Sequence, residues 1–454
     1  MDQILRTKVD PVQGTGEHRV LGTGGATGMI VAATVGSGIF ALTGQFGASV
    51  GSTGGVLFPW VIGAVLALCG GLSLAELASM MPCSGGSIEG ARRAFGATVG
   101  YLVAMVTILA GYLMSNAVIA LFLAEYLDRL IPGDAPDTLL AVGAILVALV
   151  SQLPGLRMGF AANSALAVVK VGVIAAFVIA GLSVEVTDRL VAEPAASTPS
   201  VFSPQVATAV LLVSFAYLGW STGADIAGDL RDPGRTLPRA MIASIVLVAA
   251  LYLGINAAYL RVIDPGAMVE ADGSDMRAIG SVAAGLLFGP QIGTAMTVAI
   301  ALLLLSTIVS CVITSARILE SMARAGEAPA WLGVRREDGV PQRALVVVAA
   351  LSAASLAIGS LGELLDLLTV LVNVFSALTV AALFVLRRTM PNAPRPFKVP
   401  LYPWVPALYL ALAGWTVVSS IMTGGARTAW ASCASVIILL LLRPLVRGRP
   451  ASGA

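Results

Sequence analysis

The stretch ATVGSGIF, residues 33–40, lies in the middle of a long apolar run, and three of its eight residues are the cluster Gly36-Ser37-Gly38. A glycine in a helix interior costs roughly 1 kcal/mol relative to alanine. The run therefore places its weakest helix formers at its own centre. Two readings explain this. In the first, the small residues form a close-packed seam with a neighbouring helix, a common device in membranes. In the second, the helix stops. Unwinding then frees backbone N–H groups at the start of the outer half, whose positive dipole end holds a carboxylate. Glycine lets a ligand reach the backbone, and the Ser37 hydroxyl adds a donor. Carbonyls ending the inner half, near Ala33 and Thr34, face a cation.

Composition sets the class. The chain has 454 residues, 57% of them apolar and 11% charged, and its mean hydropathy is +0.91. Soluble domains carry about 25% charged residues, so most of this surface is not built for water. Runs of about 20 apolar residues cross a bilayer. The chain holds about twelve such runs, near 24–48, 54–81, 97–127, 137–152, 159–183, 204–230, 239–261, 281–320, 343–360, 363–386, 401–422 and 428–443. The expected fold is an all-α polytopic membrane protein with little room for a soluble domain. The 281–320 run is too long for one crossing, so it begins in an outer loop or continues past the inner face. The first run lacks a cleavage site and reads as a retained helix.

Basic residues orient the chain. With the N-terminus inside, 21 of the 27 Lys and Arg fall on the inner side. Five fall outside (Arg129, Arg189, Arg261, Arg277 and Arg427), and Lys170 remains. Both termini are expected in the cytoplasm, at a cell membrane. The net charge of +2 then reflects topology and not nucleic acid. The four cysteines show no paired spacing and read as small packing residues. The one histidine, His18, lies in the polar tail.

These residues exclude most membrane enzymes. There is no His-Glu-x-x-His pattern and no evident pair of membrane-embedded aspartates, and the Gly-rich stretch lacks the Gly-Lys-Ser/Thr of a phosphate loop. No cofactor or metal is expected. An ATP-driven pump needs a nucleotide-binding domain, which no loop is long enough to hold. A secondary transporter remains, and it needs a midplane site on broken helices at matching places in two halves.

The matching place is SFAYLGWSTGAD, residues 214–225, where Gly219 and Gly223 bracket the polar Trp220-Ser221-Thr222. It lies five spans after the first break. Freed carbonyls around Phe215, Ala216 and Leu218 suit an ammonium group, and Phe215 or Trp220 can cover a ligand; helix packing explains the glycines equally well. Lys170 stands about 11 residues into the fifth run, roughly 16 Å deep at 1.5 Å per residue. Leaving it charged and unpaired there costs several kcal/mol, so it faces carbonyls, an anion or water, or gives up its proton.

Taken together, Gly36-Ser37-Gly38-Ile39-Phe40, LSLAELASMMPCSGGSIEGARRAFG (72–96), FAYLGWSTGADIAGDLRDPGRTLPRA (215–240) and SARILESMARAGEAPAWLG (315–333) resemble the amino acid–polyamine–organocation superfamily of permeases. The resemblance runs across the first ten spans and is far less specific for substrate. It implies two inverted five-helix repeats, 24–183 and 204–386, with broken helices 1 and 6. Two peripheral helices follow at 387–446, and tails occupy 1–23 and 447–454. It further implies that the backbone at Gly36, Ser37 and Gly38 binds a substrate carboxylate. The carbonyls of Thr34, Phe215, Ala216 and Leu218 would bind its α-amine, with Phe215 as the occluding aromatic. Asn116 matches a polar position near the site in some relatives; an interhelical hydrogen bond explains it as well. Lys170 matches a lysine that stands in for sodium in sodium-independent members, with Thr307 and Ser310 as its partners.

Proton symport of an α-amino acid is the leading expectation, with protons and the amino acid as the small-molecule partners. Amino acid exchange, a polyamine or organic cation carrier, and a sensor or exchanger dependent on a partner subunit are the alternatives. Glu89 reads as a solvated loop carboxylate and Glu76 as a structural or gating acid. Asp225 departs from the family pattern. Contact with a cationic side chain, proton carriage and pairing with an arginine all remain open for it.

Overall fold

The computed structural model describes residues 21–36, 38–81, 86–131, 135–153, 156–192, 199–270, 273–324, 326–336 and 340–446, with the side chains of 156–167, 423–426 and 445–446 left aside. Ser37, Cys83 and His18 lie outside the described residues. Among those residues the chain is helical, joined by turns and isolated bridges. The protein is an all-α polytopic membrane protein.

The first apolar run is two helices, α1 (Thr23–Thr34) and α2 (Gly38–Val50), bent by 45°. Val35 leaves helical geometry at φ −73°, ψ 89°. Gly51, at φ 61°, turns the chain into α3 (Thr53–Met80), whose start Ser52 caps by accepting from Gly55 N. The face of the molecule holding the start of α1 and the end of α3 is called inner below. On it α4 (Gly86–Phe95) is short and amphipathic and does not cross.

The third span joins α5 (Ala97–Val106) to α6 (Ser115–Asp128) through a π-helical segment, Thr107–Met114, in which Ser115 Oγ donates to the Ala110 carbonyl. Then come α7 (Asp137–Gln152) and α8 (Leu156–Ser183). The sixth apolar run is also broken. Ser203 caps α9 (Pro204–Ala216), and beyond Tyr217 the chain tightens through a 3₁₀ turn, Leu218–Ser221, into α10 (Thr222–Asp225), bent by 50° from α9. A long α11 (Pro233–Val262) follows.

The expected 281–320 run divides. α12 (Ile279–Phe288) ends at Gly289, whose φ of 92° suits glycine, and α13 (Pro290–Arg324) begins there. α14 (Gln342–Ser355) precedes α15 (Leu361–Thr389), which opens on a Ser360–Glu363 capping box. The helical segment α16 (Trp404–Val446) holds two apolar stretches, Trp404–Met422 and Arg427–Pro444, the second the least buried of all.

Among the described residues seven helices are long and apolar enough to cross a membrane, nine with the two bent pairs. The shorter Asp137–Gln152, Val168–Ser183 and Gln342–Ser355 fall where the fourth, fifth and ninth of the twelve expected spans lie. α11 packs on α3 and α1, and α9 on α3 and α2, so the two broken spans share one group of helices. α13 packs against α6, α7 and α14 in the other.

Candidate functional site

The two breaks touch each other. A Cβ on Gly38 would lie 2.7 Å from Ala216 Cβ, and one on Gly219 would collide with the backbone of Ala33 and Thr34. Glycine at 38 and 219 is therefore needed for close approach of the two unwound segments. Gly36 is different. Its nearest neighbours would be Thr307 Cγ2 at 3.8 Å and the Thr34 carbonyl at 3.9 Å, ordinary van der Waals distances that leave the backbone room. The packing reading of the first break thus holds at Gly38, while the backbone at Gly36 is left uncrowded.

Tyr252 on α11 holds the breaks in register, and sequence reasoning missed it. Its hydroxyl lies 2.9 Å from the Thr34 carbonyl and 3.2 Å from that of Ala216, so its single proton is shared between the last residues of α1 and α9. A carbonyl has two lone pairs, so both oxygens keep one for a ligand. The ring belongs to an aromatic triangle: Tyr252 lies 5.2 Å from both Trp60 and Tyr217, and Trp60 6.2 Å from Tyr217, between centroids. One turn on, Asn256 Nδ2 donates to the Tyr252 carbonyl at 2.7 Å and its Oδ1 accepts from Thr43 of α2. Tyr126 of α6 donates to the Phe40 carbonyl at 2.7 Å. The available signal was the spacing Tyr252, Asn256, Tyr259, which puts three polar-tipped residues on one face of an apolar helix.

Lys170 is buried, and its Nζ donates to Thr307 Oγ1 at 2.8 Å, which in turn donates to the Leu303 carbonyl. Thr307 is the side chain nearest Gly36, so the lysine reaches the first break through one hydroxyl. Ser310 Oγ donates to the Ser306 carbonyl at 2.7 Å, a back-bond along α13. Phe215 is buried in the break of span 6, and Leu218 lines a cavity of about 20 Å³ with Ser214, Asn373 and Tyr409, enough for one water.

Two further expected residues make contacts of their own, Trp220 from the lining of that same cavity. Asn116 is buried and donates to Ser352 Oγ on α14 at 3.2 Å, the interhelical bond that its alternative reading foresaw. Trp220 packs edge-on to Tyr409 of α16 and against Gly70 of α3. Glu76 is fully buried and accepts from Arg387 at 2.6 and 2.9 Å and from the Val399 backbone at 2.7 Å, with Arg395 3.3 Å away. It fastens the end of α3 to the segment after α15. Glu89 pairs with Arg93 one turn along α4.

On the outer face residues 264–270 and 273–278 lie over α2. The Met276 carbonyl fills the space a Cβ would need at Gly44, the Met268 sulfur does so at Gly47, and Gln45 Nε2 donates to Asp275 Oδ2 at 2.7 Å. Burial pushes the Asp275 carboxyl above its usual range, with Arg277 opposing. Arg277 faces Glu125 at 3.5 Å, and Arg129 pairs with Glu270.

Broken membrane helices that meet at mid-span, with a buried lysine beside them, define a transporter and not an enzyme. An amino acid permease family model matches residues 21–442, and the chain belongs to that family. It is 26% identical to the serine/threonine exchanger SteT of Bacillus subtilis, over 87% of this chain and 89% of that one. It is 28% identical to the human large neutral amino acids transporter small subunit 2, over 90% and 77%. The mouse Asc-type amino acid transporter 1 is likewise 28% identical, over 89% and 76%.

Proposed function

We propose that this permease exchanges neutral amino acids across the cell membrane by alternating access. The substrate carboxylate binds backbone N–H groups at Gly36, Ser37 and Gly38. Its α-amine binds the carbonyls of Thr34, Phe215, Ala216 and Leu218, and Phe215 covers it. The observation that carries this reading is the meeting of the two breaks under Tyr252, which sets the start of α2 beside the ends of α1 and α9. Lys170, one hydroxyl away from Gly36, supplies the positive charge that a sodium-dependent cycle draws from an ion. The Bacillus relative's name supports exchange of small neutral substrates.

Proton symport is the second reading, and Lys170 favours it: a buried lysine that releases and regains a proton in each cycle couples transport to pH. In either reading the chain crosses twelve times with both termini cytoplasmic, and 24–183 and 204–386 are inverted repeats. Reconstituted protein separates the two. Exchange predicts uptake of labelled serine, threonine or leucine only into vesicles preloaded with amino acid, whatever the pH gradient. Uptake into empty vesicles that follows an imposed proton gradient establishes symport instead.

A further inference from the structure

Asp225 is a carboxylate at membrane depth that the site above does not use. It ends α10, the inner half of the sixth span. Ser87 Oγ, in the first turn of α4, donates to its Oδ1 at 3.3 Å. Beside that bond a Cβ on Gly86 would stand 3.1 Å from the Ala224 carbonyl, so α4 meets α10 end-on at backbone distance. Further along α4, Arg92 pairs with Glu327, just past the inner end of α13. α4 thus bridges the broken sixth span and the eighth.

Among the described residues no cation balances Asp225. The charged groups on the elements packed around it are engaged or turned to solvent. Glu76 of α3 is held by Arg387 and Arg395. On α4, Glu89 pairs with Arg93 and Arg92 with Glu327. Arg235 of α11 faces Asp232, while Arg239 and Asp229 are exposed. α1 carries no charge. Tyr112, in the π segment of the third span, is within electrostatic reach. Among the described residues the carboxylate has a hydroxyl donor and a nearby phenol but no arginine partner, which leaves its charge free to change.

We propose that Asp225 is a positioning residue of the inner gate. Ionised, it accepts from Ser87 and holds α4 against the inner half of the sixth span; on taking up a proton from the inner side it loosens that contact and lets the half-helix move. The sign follows from the bond: an ionised acceptor holds a hydroxyl more strongly than a neutral one, and a helix start favours a negative charge. The role in transport rests on the exchange reading, whereas the latch itself does not.

The test compares wild type with Asp225→Asn, Asp225→Glu and Ser87→Ala, full-length in nanodiscs. Hydrogen exchange at the first turn of α4 is expected to quicken on the order of tenfold in the Asn and Ala variants and to return toward wild type with Glu. In wild type, protection there falls as pH is lowered, after correction for intrinsic rates, and in Asp225→Asn it stays flat. In vesicles Asp225→Asn shifts the inner half-saturation for amino acid and leaves the outer one unchanged. Unchanged α4 protection in both Asp225→Asn and Ser87→Ala overturns the latch, even if the protein transports. A loosened α4 in a protein that moves no amino acid upholds the latch and overturns the transport reading.

Discussion

Tyr252 reaches both broken spans with one hydroxyl, and it does so from a span that carries no break of its own. Tyr252→Phe keeps the ring, and with it the contacts to Trp60 and Tyr217, and removes only the donor. A hydrogen bond of this kind contributes about 1 kcal/mol net. The melting temperature should therefore fall by a few degrees at most. Transport should fall further, by about tenfold, because both half-helix ends lose their shared reference. Melting and counterflow on one preparation check this, and equal losses in both would make Tyr252 merely structural. Nothing in the composition of α11 announced this role, since the hydroxyl acts through carbonyls more than thirty residues away in sequence. Gly36-Ser37-Gly38 and Lys170 were legible because each violates what an apolar span prefers. Tyr252 violates nothing.

The elements were read well where hydropathy changes and poorly where direction changes. Gly289 lies inside a long apolar run, and its positive φ, with Pro290 opening α13, separates α12 from α13. In the same way the outer residues 264–270 and 273–278 gave no sequence signal, because their seat on α2 is made of absent side chains, at Gly44 and Gly47. Partial burial in that seat raises the affinity of Asp275 for a proton. Seating of these residues on α2 is therefore predicted to strengthen as outer pH falls through the carboxyl's titration and to weaken as pH rises through it. Outer-side uptake should slow on acidification of the outer medium, and Asp275→Asn should remove that slope. A slope that survives in the variant assigns the effect to another group.

Across the whole molecule, charge and hydropathy fixed an all-α membrane protein, and two Gly-rich interruptions five spans apart pointed to the helices that break. What the sequence left open was which glycines pack and which admit a ligand, because both uses select the same residue. In the structure the side-chain space at Gly38 and Gly219 is filled by the opposite break, whereas Gly36 is open toward Thr307 and, through it, Lys170. The most direct test of a site at the meeting breaks is amino acid binding to purified protein, read as a thermal shift, for wild type and Gly36→Val. A ligand at 100 times its Kd stabilises the native state by about 2.7 kcal/mol, a shift of several degrees. Serine, threonine or a larger neutral amino acid should produce that shift in wild type and none in a folded Gly36→Val. An equal shift in both proteins would place the amino acid elsewhere and contradict the account.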